Sequence, residues 1–81
     1  MTTAPLTRAQ MRADIAAQLG IDPEEIGGGD SLLDLGLDSV RLLKLVTAWE
    51  AALPGLDYTR FVEVETLDEW WDIVAETQAR A

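Results

Sequence analysis

The sequence contains no cysteine and no histidine. Without cysteine there is no disulfide, no thiolate metal site and no protein thiol to act as a nucleophile. Without histidine the commonest general base is missing as well. Cations are scarce. Arg8, Arg12, Arg41, Lys44, Arg60 and Arg80 face fifteen acidic residues, for a net charge of -9. A surface of that sign repels phosphate backbones and anionic lipid, and six scattered cations form no basic stripe, so neither nucleic acid nor membrane is expected as a partner. No apolar run reaches membrane-spanning length, and Met1 to Pro5 lacks a cationic segment followed by an apolar one, which predicts a cytoplasmic protein.

What is present is enough to fold. The 81 residues, 48% hydrophobic and 26% charged, predict one domain over 1–81, ordered from about residue 6 to 78. A chain this short buries only roughly 60% of its unfolded surface. Its stability must therefore come from packing and helix capping.

Thr7 is placed to cap a first helix, with Gln10 returning the hydrogen bond and Leu6 stapling onto Met11. Met11, Ile15 and Leu19 then form one apolar stripe, ended by Gly20. From Ile21 to Leu37 the density of Pro and Gly predicts a long structured loop. Several of its apolar residues, Ile21, Ile26, Leu32, Leu33, Leu35 and Leu37, are expected to plug the core. Asp38 or Ser39 can cap a second helix running to Leu53, before Pro54 and Gly55. Leu42, Leu45, Val46 and Trp49 share one side of it, which leaves Val40, Leu43 and Thr47 on a second apolar face. Asp57 to Val64 reads as a short helix or turn. Thr66 and Glu69 make a capping box ahead of a last helix to about Gln78, with Leu67, Trp70, Trp71 and Val74 as its stripe. The tryptophans are assigned to core packing. The sum is an all-α fold, a small four-helix bundle with a long loop between helices 1 and 2 and a short third helix.

Enzyme chemistry finds no foothold. Around Ser39 a nucleophile elbow would need glycine two residues to either side, where Leu37 and Arg41 stand. Gly27 to Gly29 lack the Lys-Ser/Thr pair of a phosphate-binding loop. Asp30, Asp34 and Asp38 do not fit a calcium loop, because the twelfth position would be Arg41 rather than glutamate. No catalytic residue and no metal site is predicted. Ser39 read by itself is a helix cap; its setting between a long loop and an apolar helix also suits a phosphate, because a helix N-terminus offers free N–H groups and positive dipole.

Asp34-Leu35-Gly36-Leu37-Asp38-Ser39 resembles the attachment motif of the acyl carrier protein superfamily, whose serine receives 4'-phosphopantetheine. The resemblance extends over nearly the whole chain. Gly36-Leu37-Asp38-Ser39-Val40-Arg41, with Trp49, Thr66 and Trp70-Trp71, is most similar to the aryl carrier domains of siderophore-type nonribosomal synthesis. Peptidyl carriers more often show Gly-Gly before the acidic or His residue and Leu after the serine, where Leu37 and Val40 stand here. Aryl carriers are often fused behind an isochorismatase; this chain reads as freestanding or excised from a larger protein.

The resemblance implies a carrier rather than an enzyme. A phosphopantetheinyl transferase, with Mg²⁺ and coenzyme A, would modify Ser39 beside the motif residue Asp38. An adenylating enzyme would load an aryl or amino acid as a thioester, and a condensation or other synthase domain would receive it. Partners would read Val40, Leu43, Arg41, Lys44 and Tyr58 of a monomeric carrier. Two alternatives stand beside this reading: a polyketide or fatty-acid carrier, and an acidic helical adaptor in which Ser39 only caps.

Overall fold

A computed structural model describes residues 6–80. Residues 1–5 and Ala81, the ends of the expected domain, lie outside the described residues. Four α-helices follow in order: α1 Arg8–Leu19, α2 Ser39–Ala52, α3 Tyr58–Val62 and α4 Leu67–Arg80. The fold is the all-α bundle that the sequence predicts.

Each helix starts on a polar cap. The Gln10 N–H donates to Thr7 Oγ1 at 3.1 Å, but the Gln10 side chain does not return the bond. It donates instead to Asp14 Oδ1 at 2.8 Å, so the expected box is half made. A charged acceptor one turn ahead forms the stronger bond. α1 ends on Gly20, at φ 70°, which lets the Ile21 N–H reach back to the Ala16 carbonyl at 3.1 Å. Asp57 caps α3, which makes the ambiguous Asp57 to Val64 stretch a short helix. Thr66 and Glu69 form the predicted box in both directions.

The loop between α1 and α2 is tied down, as its apolar content implies. Ile26, Leu32 and Leu37 are buried, and Ile21 and Leu35 pack against the core. A 3-10 turn at Pro23–Glu25, capped by Asp22, accepts Arg12 Nε on the Pro23 carbonyl at 2.7 Å. Its second half is pinned to the start of α4. The Leu32 N–H donates to the Glu65 carbonyl at 2.8 Å, the Asp68 N–H to the Gly28 carbonyl at 3.0 Å, and Arg8 pairs with Asp68.

Leu42, Leu45, Val46 and Trp49 of α2 are buried against Met11 and Ile15 of α1 and Leu67, Trp70 and Val74 of α4 in one core. The aromatic centre is Trp49, Phe61 and Trp70, with centroids 5.5–6.1 Å apart and two of the three pairs edge to face. Both indole N–H groups are satisfied, Trp49 by Asp14 Oδ2 at 2.9 Å and Trp70 by the Val64 carbonyl at 3.3 Å. On α4 the buried stripe is rotated from the predicted one. Ile73 and Thr77 go in and Trp71 stays half-buried; burial of Thr77 is tolerated because its hydroxyl donates to the Ile73 carbonyl at 2.8 Å.

Candidate functional site

α2 begins at Ser39, and the residue that caps it is Asp38. The Arg41 N–H donates to Asp38 Oδ1 at 2.8 Å, and Arg41 Nη1 donates to Asp38 Oδ2, also at 2.8 Å. Of the two capping candidates in the sequence, Asp38 and Ser39, the structure takes Asp38. A carboxylate at position 38 accepts a backbone bond and a guanidinium bond at once, which a hydroxyl at position 39 cannot match. The Arg41 N–H, followed by the charge and side-chain bond of Arg41, holds the Asp38 carboxyl below the usual carboxylate range.

Ser39 is therefore the first helical residue. It is exposed, its hydroxyl is left out of the capping bonds, and the N–H groups of the opening turn precede the first intrahelical bond, from Leu42 to the Asp38 carbonyl. Arg41 is half-buried and turned inward. Its Nε donates to the Gln18 carbonyl at the end of α1 at 3.0 Å, so one side chain fastens the cap of α2 to the preceding helix. Asp38, Ser39 and Arg41 are thus brought together at one helix start.

The other predicted residues divide. Val40 and Leu43 remain 62% and 53% exposed, which rules out the core as their destination. Lys44 is exposed beside them. Tyr58 is half-buried and packed against the core at the start of α3.

A cleft of about 100 Å³ opens beside Ser39. Asp38, Ser39 and Glu65 contribute its polar lining, and Leu33, Leu37, Leu42, Phe61, Val62 and Trp70 most of the apolar lining. Pockets that enclose small ligands run to roughly 300–1,000 Å³, so this cleft is a shallow surface feature. Leu33 and Val62, 58% and 51% exposed, were not legible as site residues. The available signal was adjacency: in Leu32-Leu33 and Phe61-Val62 one residue of each pair enters the core and its neighbour is turned out. Among the described residues no helix is long and apolar enough to cross a membrane, and no cluster of three or more candidate ligands could hold a metal ion.

The sequence profile of the family described as phosphopantetheine attachment site matches residues 9–74. The chain is 32% identical over 78 residues to acyl carrier protein ScoB of Streptomyces coeruleorubidus, covering 96% of this chain and 92% of that protein. It is 31% identical over 71 residues to enterobactin synthase component B of Escherichia coli, 88% of this chain and 25% of that protein. It is 38% identical over 64 residues to an isochorismatase of Bacillus subtilis, 79% of this chain and 20% of that protein.

Proposed function

The chain belongs to the phosphopantetheine attachment-site family, and on that premise we propose that Ser39 is the attachment residue of a carrier serving nonribosomal assembly of the aryl-loading type. The family is defined by a covalently attached 4'-phosphopantetheine, and its carrier domains are not catalytic. The observation that carries the assignment to Ser39 is the division of labour at the head of α2. Asp38 caps and Arg41 holds Asp38, so the Ser39 hydroxyl stands free and exposed where a helix N-terminus favours a phosphodiester.

In the modification, Ser39 Oγ would attack the phosphorus that joins phosphopantetheine to the nucleotide half of coenzyme A. The hydroxyl proton would leave to a base of the transferase, and adenosine 3',5'-bisphosphate would depart; Mg²⁺ bound by that enzyme would offset the charge. Ser39 is a substrate in this step. When attached, the group supplies a terminal thiol that carries an acyl group as a thioester, which accounts for carrier chemistry in a chain without cysteine.

The aryl reading draws support from the Val40-Arg41 pair after the serine and from relatives named as an enterobactin synthase component and an isochorismatase. Its partners would be a transferase, an aryl-acid adenylating enzyme and a condensation enzyme, in the cytoplasm. A second reading, a polyketide or fatty-acid carrier, is favoured by the near end-to-end match to a protein named simply as an acyl carrier. Incubation with coenzyme A, Mg²⁺ and a promiscuous transferase tests the carrier reading by intact mass, with Ser39→Ala as control. A wild-type chain that gains no phosphopantetheine mass ends it. Offering the holo protein to aryl-, amino- and fatty-acid-activating enzymes separates the two readings, and exclusive loading by the fatty-acid enzyme sinks the aryl one.

A further inference from the structure

Among the described residues Asp22, Asp38 and Asp57 each cap a helical start, and the polar groups around them meet different fates. At Asp22 the Glu25 carboxylate, at the third helical position, accepts the Asp22 N–H at 2.9 Å and closes a box. At Asp57 the first turn holds a hydroxyl, and the carboxylate captures it: Thr59 Oγ1 donates to Asp57 Oδ1 at 2.6 Å. Arg60, at the third position there, is turned away to Glu76. At Asp38 the first turn again holds a hydroxyl, that of Ser39, yet it is Arg41 Nη1 that takes the second carboxylate oxygen.

Ser39 thus keeps free a hydroxyl of the kind that is drawn into the cap of α3. Intrinsic preference does not protect it, since aspartate and serine rank about equally as caps. Were α2 to start one residue later, Ser39 would become extended backbone and its oxygen would accept the N–H of Arg41 or Leu42. A lone pair that accepts a helix N–H is not free to attack phosphorus. Arg41 opposes that shift through two bonds. Its Nη1 holds Asp38, and its Nε is anchored at 3.0 Å on the Gln18 carbonyl, in the last turn of α1, where carbonyls lack an internal partner. The planar guanidinium is therefore oriented from the neighbouring helix when it meets the carboxylate.

We infer that Arg41 is a positioning residue for the modification of Ser39: it keeps the start of α2 capped by Asp38, so that the Ser39 hydroxyl stays out of the cap and meets the transferase free. The inference rests on the carrier reading and is independent of which acyl group is carried.

The test takes two readouts from each variant. One is the steady-state rate of phosphopantetheine gain, by intact mass, with a promiscuous transferase, coenzyme A and Mg²⁺. The other is the Cα and Cβ chemical shifts of Ser39 in the unmodified protein, which separate a helical residue from an extended cap. Arg41→Met keeps the stem and removes the donors. With two caps of equal rank the population divides about evenly, so the KM for the carrier should rise about twofold at unchanged kcat, with the Ser39 shifts about halfway to extended values. Arg41→Lys, which can reach one partner at a time, should fall between. Arg41→Gln puts at the third position a side chain able to accept the Asp38 N–H, as Glu25 does for Asp22. Leu45, one turn on, offers no carboxylate to divert it as Asp14 diverts Gln10. That variant should restore both readouts without a charge, and across the series KM should track the shifts.

Three results overturn the inference and leave the carrier reading intact. They are wild-type Ser39 shifts in Arg41→Met, shifts that move while KM holds, and an Arg41→Gln protein with wild-type shifts but the KM of Arg41→Met. The last would mean that the transferase reads the guanidinium itself. If Arg41→Met loses helical content, Arg41→Lys and Arg41→Gln carry the same comparison. A wild-type chain that gains no mass retires the carrier reading first, before any variant is compared, and this inference with it.

Discussion

The two sides of α2 are built from similar side chains and do opposite work. Leu42, Leu45, Val46 and Trp49 are at most 5% exposed and hold the helix to α1, α3 and α4. Val40 and Leu43 are more than half exposed on the reverse side, where they hold nothing inside the domain. Hydrophobicity does not separate the two sets; only placement does. A buried leucine reports on stability, and an exposed one beside a free hydroxyl reports on what the domain meets.

The sharpest break in that comparison is Ser39→Ala. It should abolish the phosphopantetheine mass gain completely while leaving the melting temperature where it was, since the hydroxyl makes no cap. A marked loss of stability would restore Ser39 to a structural role. Next comes Trp49→Ala, expected to cost about 3–5 kcal/mol in urea unfolding, a large part of the stability of a domain this size. That variant empties the aromatic centre and strands the Asp14 carboxylate that accepts the indole N–H.

On the other side of the helix, Leu43→Ala should shift stability by no more than about 0.5 kcal/mol, as surface changes do. It should nevertheless slow loading by the adenylating enzyme. A fall in stability comparable to that of Trp49→Ala would erase the distinction between the faces.

The smallest effect concerns the cap. Asp38 has a folded-state carboxyl value below its ordinary one, so its contribution is fully present above the ordinary Asp range, about pH 4, and disappears as the pH falls below it through the folded value. Thermal melts of wild type and Asp38→Asn should therefore differ at neutral pH and converge in acid. Melting temperatures that differ by the same amount down to the acid limit would show that the charge of Asp38 is not what stabilises the helix start.

Much of this was legible in the chain. The caps at Thr7 and Thr66, the stop at Gly20, and the stripes Met11–Ile15 and Leu42–Leu45–Val46–Trp49 are local patterns, and local geometry dictates them. What the sequence left open or misplaced has one cause. Asp38 and Ser39 are both good capping residues, and the choice between them depended on Arg41, whose guanidinium could reach Asp38 while also bonding the Gln18 carbonyl. On α4, Trp71 and Ile73 are both apolar, and which one turned inward depended on the helices packed beneath. Leu33 and Val62 became part of a cleft only when the loop and α3 met beside Ser39.

By itself, then, the sequence determined the helices, their ends, the apolar face of α2 and the motif around Ser39, because these follow from spacing and from the hydrogen bonds a residue can make with its near neighbours. Tertiary structure decided that Asp38 caps so that Ser39 stays free, that Arg41 faces in while Lys44 faces out, and that Val40 and Leu43 remain uncovered. Those outcomes depend on where distant parts of the chain place a carbonyl such as that of Gln18 or leave a core position open, and spacing along one helix carries no record of that.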